Sequence, residues 1–405
     1  MAAPHVSGVA ALAYSVNPHL SGLQVKELIT EQCSDYIVKA PGGKVYHCLN
    51  AEKVVKEALK TSGNTPVVGE NTGVVLGSVH SAYDGEAIVG AQVCAYKYSS
   101  YDGNVGNGNL EDYQYITQTD DEGEFSLELD PGKYQVIIYE SNYKPLVINN
   151  VKVREDKVEY LEKVLYLNSS GTTEAEFKGK LVDALNGSNV EGAEAIFRSG
   201  WNNYSGSIVK EQIFTDANGK YSISMPVGYY TIEFKKTGYI NSYVNIIVCD
   251  KLKDIQRAVI CPELDENEVR VVLTWGNAPQ DLDSHLSLIA DDKEYIHIYY
   301  ANSLFYDSEN EKIYLLDVDD TTQYGPETIT FYTDNSNIDE YKYYVYNYSG
   351  GYAGDELSYS GARVTVYYGS QTSETFHVPI NQMGRTWNVF SIVDGEIVIE
   401  NTITP

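Results

Sequence analysis

Basic residues are scarce in this sequence. Lys and Arg number 29 against 57 Asp and Glu, which leaves a formal charge of -28. A field of that sign repels phosphate backbones and anionic membrane surfaces, so nucleic acid is not an expected partner. Cysteine is scarce as well: Cys33, Cys48, Cys94, Cys249 and Cys261 are odd in number and far apart. Without a CxxC pair or zinc-type spacing, a metal knuckle or dithiol redox motif is excluded. Cys33–Cys48 and Cys249–Cys261 are the pairings open to a disulfide, against the simpler reading of buried free thiols. No apolar run reaches the ~18 residues of a transmembrane segment. The terminal NTITP carries no anchor or sorting tail. The opening MAAPHVSGV lacks the basic n-region of a signal peptide, so an export signal would have to lie upstream.

What is present divides into a helical start and a long β-type remainder. Val6, Val9, Ala10, Ala11, Leu12, Ala13 and Tyr14 leave no consistently polar face at a 3.6-residue period. A helix of that kind is normally buried on all sides within a large core. After Pro18, Ser21 and Gln24 form a capping box for a second helix with the apolar stripe Val25, Leu28 and Ile29. A third helix is expected from about Ala51 to Lys60, followed by a linker at 61–67 within TSGNTPVVGENTG.

Beyond the linker the pattern alternates with period two, and it repeats. TDDEGEFSLELDPGKYQVIIY begins at Thr119 and TDANGKYSISMPVGYYTIEF at Thr215. Thr119, Asp120, Gly123, Ser126, Gly132 and Tyr134 recur as Thr215, Asp216, Gly219, Ser222, Gly228 and Tyr230 at one constant interval. Each copy reads as strand, T-D-x-x-G turn, strand, second turn, strand. Phe125, Leu127 and Leu129 on one strand and Tyr134, Val136 and Ile138 on the next form a half-buried sandwich face. Domains are expected at 68–168, 171–263 and, with a different pattern, 266–405.

The last segment carries the densest constellation of ligand-type residues. On a strand, Asp281, Asp283 and His285 fall on one face, and Leu282, Leu286 and Leu288 on the other. Asp317, Asp319 and Asp320 form a second acidic cluster, and Glu327 follows a Gly-Pro turn. Oxygen ligands from both clusters suit Ca²⁺, whereas His285 pulls towards a transition metal. The alternative is a set of solvated strand-end carboxylates in a very acidic chain. Tyrosine is abundant, at 36 residues. In DEYKYYVYNYSGGY, Tyr344, Tyr346 and Tyr348 share one face and Tyr341 and Tyr343 the other. Such faces stack on sugars or peptides, or simply fill a sandwich.

Three resemblances organise these observations. Met1, Ala2, Ala3, Pro4, His5 and Gly8 in MAAPHVSG match the stretch after the nucleophile in subtilisin-like serine proteases, Gly-Thr-Ser-Met-Ala-x-Pro-His-x-x-Gly. NPHLSGLQVKELI and LNAEKVVKEAL are similar to that family's last helices. The two repeats resemble carboxypeptidase-regulatory-like, transthyretin-type β-sandwiches. EVRVVLTWGNAPQDLDSHLSL, LLDVDDTTQYGPETITFY and GRTWNVFSI resemble blocks of a bacterial secreted-protein domain of no established function.

The implied fold is mainly β and multidomain: a helical remnant of a subtilisin α/β fold at 1–60, two tandem sandwiches, and a C-terminal β-sandwich. The first resemblance places the nucleophilic serine immediately before Met1 and the family's Asp, His and oxyanion-hole Asn earlier still. The chain is therefore expected to lack the triad and to be inactive alone. His5 and Ser7, two apart on a helix, do not face each other and cannot replace it. The helices are expected to pack loosely without the parallel sheet they normally cover. The leading reading is the C-terminal part of a secreted endopeptidase whose parent cleaves protein or peptide substrates, with β modules as spacers or targeting domains. The alternative is a non-catalytic extracellular β-sandwich protein that binds cell-wall glycan or a surface protein.

Overall fold

The computed structural model describes residues 3–16, 25–26, 28–29, 34–39, 45–51, 53–55, 71–98, 110–162, 164–166, 173–250, 255–308, 311–350, 354–369 and 371–405. It is 57% strand and 5% helix, with several open sheets, as a mainly β multidomain chain requires. Two compact units divide it, Met1–Val67 and Val68–Pro405.

The first unit opens with α1 (Ala3–Val16) and continues into a hairpin of β1 (Ser34–Lys39) and β2 (Val45–Leu49). Pro4 sits in the first turn, where its missing N–H costs no intrahelical bond. Val25 and Lys26 are helical, while Ser21 and Gln24 lie outside the described residues. Asn50 caps the last helical segment, its Oδ1 accepting from the Lys53 N–H at 3.0 Å. Val9, Ala13, Val25, Leu28 and Val54 form a small buried cluster. Although α1 has no consistently polar face, it leaves apolar side chains uncovered: Val6 is 43% and Leu12 49% exposed.

The second unit begins with β3 (Gly73–Ser81), β4 (Gln92–Tyr98), β5 (Leu110–Gln118) and β6 (Glu124–Leu129). It continues with β7 (Gly132–Tyr139), β8 (Leu146–Val153), β9 (Val158–Tyr160) and β10 (Val164–Tyr166). One sheet is ordered β5-β4-β7-β8, and in the other β3 pairs with β6, β9 and β10. The second copy comprises β11 (Glu174–Asp183), β12 (Glu194–Ser199), β13 (Ile208–Phe214) and β14 (Lys220–Pro226). It ends with β15 (Gly228–Lys235), β16 (Ser242–Val248) and β17 (Gln256–Ile260). Its sheets, β13-β12-β15-β16 and β14-β11-β17, reproduce the first topology.

The repeated residues turn out to be the fixtures of that topology. Thr119 and Thr215 each accept a backbone N–H through Oγ1, from Ala91 at 2.9 Å and Ala193 at 3.0 Å. Asp120 Oδ1 accepts from the N–H groups of Glu122 and Glu124, and Asp216 Oδ1 from Asn218 and Lys220. Gly123 and Gly219 have φ of 77° and 70°. A Cβ at Gly219 would lie 2.4 Å from the Leu181 carbonyl oxygen. Tyr134 and Tyr230 donate to the carbonyls of Asp130 and Pro226, at 2.8 and 2.7 Å. Both copies feed one continuous apolar core that includes Phe125, Tyr134, Phe177, Phe197, Trp201 and Phe234. Cys249 and Cys261 are buried free thiols rather than a disulfide. Cys94 is also free, whereas Cys33 and the Cys48 side chain lie outside the described residues.

The C-terminal sandwich starts with β18 (Glu268–Thr274), β19 (Leu282–Ala290), β20 (Lys293–Ile298) and β21 (Leu304–Asp307). It continues with β22 (Lys312–Val318), β23 (Glu327–Tyr332), β24 (Glu340–Asn347) and β25 (Arg363–Tyr368). It closes with β26 (Gln371–His377), β27 (Thr386–Val393) and β28 (Glu396–Thr404). A six-stranded sheet, β21-β22-β23-β18-β25-β26, faces a five-stranded one, β20-β19-β24-β27-β28. Leu282, Leu286, Leu288, Tyr341, Tyr343, Trp387 and Phe390 fill the space between them. Period-two alternation thus places Tyr341 and Tyr343 inside, with Tyr348 exposed on the other face.

Candidate metal centre

The entry to β19 and the turn into β23 meet at one end of the C-terminal sandwich. Trp275 helps fix the first, its Nε1 donating to the Pro279 carbonyl at 3.0 Å. The Asp281 N–H donates to Ser349 Oγ at 3.1 Å. In the second, Gly325 has φ 73°, and a Cβ there would meet the Leu273 carbonyl oxygen at 2.8 Å. Glu327, the first residue of β23, then reaches across to the opposite sheet. Its Oε2 accepts the Ser284 N–H at 2.8 Å.

This brings carboxylate oxygens of Asp283, Asp319 and Glu327 within 4.8 Å of one another. Asp283 is 3% and Glu327 1% exposed, and Asp319 is open to solvent. Asp283 Oδ2 and Glu327 Oε1 are buried with no hydrogen-bond partner, as is Asp281 Oδ1. Burial and the neighbouring Asp281 and Asp319 push the Asp283 carboxyl up to about 7. Glu327 is raised well above the usual range, by burial first and Asp283 second. Asp281 and Asp319 are also raised, by burial and then by the adjoining aspartates. Buried like charges of this kind are stable only when protonated or matched by a cation.

The remaining residues singled out in the sequence go elsewhere. His285 shares strand parity with Asp283, but its ring lies stacked between Tyr344 at 4.7 Å and Tyr299 at 5.4 Å. Its Nδ1 meets His297 Nε2 at 2.9 Å. Burial, with His297 adding to it, lowers its pKa to about 3, so the stack holds neutral imidazole. Asp317 sits at an irregularity in the β22–β23 pairing, between Leu316 and Val318. There its Oδ2 accepts from Thr330 Oγ1 at 2.6 Å, and Thr330 also accepts from Arg270 Nε at 2.8 Å. Asp320 caps its own turn through Thr322. Asp281 stands beside the cluster and acts on Asp283 through charge. Glu327 was readable in the sequence only as a carboxylate after a Gly-Pro turn.

Of the opening motif, Met1 and Ala2 lie outside the described residues, and Ala3, Pro4, His5 and Gly8 fall in α1. A cavity of about 820 Å³ lies elsewhere in the β unit, bordered by Lys133, Lys152, Tyr204, Tyr243, Arg363 and His377. It includes none of the acidic cluster.

Residues 1–65 match the subtilase family, and residues 74–165 match the carboxypeptidase regulatory-like domain. The chain thus carries a segment of a serine-protease family followed by β-sandwich modules. Among solved structures it is similar to the TIE protein of Bacillus anthracis, at 15% identity over 78% of this chain and 49% of that one, TM-score 0.19. It is similar also to GBS52, the minor pilin of Streptococcus agalactiae, at 12% identity over 47% and 96%, TM-score 0.19. A third is the shaft pilin SpaA of Lactobacillus rhamnosus GG, at 14% identity over 48% and 98%, TM-score 0.18. The chain spans about half the length of the first of these. A comparison with curated proteins found no match. No helix among the described residues is long and apolar enough to cross a membrane.

Proposed function

We propose that this chain is the C-terminal, non-catalytic part of an extracellular subtilisin-like serine endopeptidase. The observation that carries this reading is the subtilase match over residues 1–65, which includes the Met1–Gly8 motif. In such an enzyme the motif helix presents its N-terminal N–H groups and positive dipole end to the nucleophilic serine. That serine would directly precede Met1, and hydrolysis would run through an acyl-enzyme with His as general base. The uncovered Val6 and Leu12 of α1 fit a helix meant to be packed on further sides. The β-sandwiches then hold the protease near its protein substrate, at cell-wall glycan or a surface protein.

Active-site labelling with a fluorophosphonate tests this. The chain alone should stay unlabelled and leave casein intact. The gene product including upstream sequence should be labelled at the serine before Met1. Cleavage by the chain alone that serine-protease inhibitors abolish would contradict the reading. A second reading, glycan binding by the β modules themselves, is favoured by one surface. Tyr300 and Tyr348 are 47% and 53% exposed and meet edge to face at 5.6 Å. Binding to cell-wall polysaccharide that is lost in Y300A and Y348A would support it.

A further inference from the structure

The unexplained chemistry of the molecule is concentrated where the two sheets of the C-terminal sandwich meet. Glu327 comes from one sheet, Asp283 from the other, and Asp319 from the connection between β22 and β23. One Glu327 oxygen is accounted for by the Ser284 N–H and the other is buried with no donor, while the Glu327 carboxylate lies within 4.8 Å of those of Asp283 and Asp319. Asp283 likewise has a buried oxygen without a donor. Several acids elsewhere among the described residues show the contrast. Asp120 and Asp216 take backbone N–H groups, Asp317 takes Thr330, and buried Glu233 is paired with Arg198 at 2.7 Å. Buried carboxylates are normally paired or coordinate metal, because an unpaired one gives up its hydration with nothing to replace it.

We propose that Asp283, Asp319 and Glu327, with Asp281 beside them, bind one Ca²⁺ ion that ties the two sheets of the C-terminal sandwich together. The donors are all hard carboxylate oxygens, which exclude soft-metal selectivity. His285, the one nitrogen ligand the sequence offered here, is not in the cluster: its Nδ1 meets His297 and its ring stacks on two tyrosines, with Nε2 buried among them without a hydrogen bond. Ca²⁺ accepts several carboxylates in irregular geometry, whereas Mg²⁺ demands a near-octahedral shell and keeps most of its water. The exposed side of Asp319 leaves room for water to complete the shell. A site of this kind acts as a non-covalent clip: without the ion, repulsion among the acids loosens the β19 entry from the β23 turn.

Tb³⁺ luminescence and thermal unfolding of the full chain test the proposal. Tyr300 lies close enough to feel the Asp283 charge, so excitation of tyrosine should sensitise Tb³⁺ bound at the site. The expected result is one saturable Tb³⁺ signal displaced by Ca²⁺, little affected by equimolar Mg²⁺, and a melting temperature that rises with Ca²⁺ and falls in EDTA. D283N and E327Q keep the side-chain shape and remove charge. Each should weaken Ca²⁺ binding by tenfold or more while melting in EDTA no lower than the unsubstituted chain does in EDTA. The remote, exposed D394N should bind normally. Absence of a saturable signal at millimolar Ca²⁺ would overturn the site, as would D283N and E327Q binding like D394N. These outcomes do not depend on proteolytic activity, so they leave the protease reading standing or falling on its own test.

Discussion

The helical first unit and the β unit solve the burial problem to very different extents. In residues 68–405 the repeated Thr, Asp and Tyr side chains are each hydrogen-bonded, and two cores absorb the large apolar side chains. In residues 1–67 the described core has five buried members, and the most apolar helix shows Val6 and Leu12 to solvent. The described β strands bury their apolar faces against one another, while α1 leaves part of its apolar surface uncovered.

The sharpest way to break the comparison is to separate its halves. Residues 68–405 expressed alone should unfold cooperatively in urea, whereas residues 1–67 alone should show no cooperative transition and little amide protection in hydrogen exchange. Strong protection throughout residues 1–67 in the whole chain would also contradict the contrast. Next in size is the buried ion pair of the second sandwich. Glu233 and Arg198 have side chains only 4% and 8% exposed, and Tyr243 also donates to Glu233 at 3.0 Å. E233Q should cost ~3–5 kcal/mol in urea unfolding of the β unit, because the guanidinium is left uncompensated.

A smaller effect is expected at the repeated turn. Gly219→Ala meets both a positive φ and the Leu181 carbonyl, and should cost ~1–3 kcal/mol by the same measurement. The smallest near neutral pH, though it grows with acid, is a pH dependence. Burial, with Arg363 adding to it, lowers the His377 pKa from 6.5 to about 3. The folded chain therefore holds neutral imidazole where the unfolded chain takes up a proton. Stability contributed above pH 6.5 should be lost as pH falls from 6.5 towards 3, by at most ~1.4 kcal/mol per pH unit for one proton. H377N should show a shallower acid slope than the unsubstituted chain in melts across that window.

Much of the β architecture was legible because it is local. The T-D-x-x-G spacing is a turn whose aspartate accepts N–H groups two and four residues on, so a single repeat encodes it. Alternation grouped Phe125, Leu127 and Leu129 on a buried face and set Tyr341 and Tyr343 opposite Tyr348, and packing against the second sheet is what puts Tyr341 and Tyr343 inside. The acidic cluster was legible only in halves. Strand parity grouped Asp281, Asp283 and His285, but parity does not reveal that His285 meets rings from β20 and β24. Asp317 was grouped with Asp319 by proximity in sequence, and the irregular pairing beside it turns it towards Thr330 and Arg270 instead. Glu327 joins Asp283 only because two sheets pack face to face, which no local pattern records.

The most direct test of the account is to read the coding DNA immediately upstream of the Met1 codon. The account predicts an in-frame Gly-Thr-Ser directly before Met1, with His- and Asp-bearing segments and an export signal further upstream. An in-frame stop codon followed by a ribosome-binding site would contradict it, and would leave the β domains as the place where this protein's function resides.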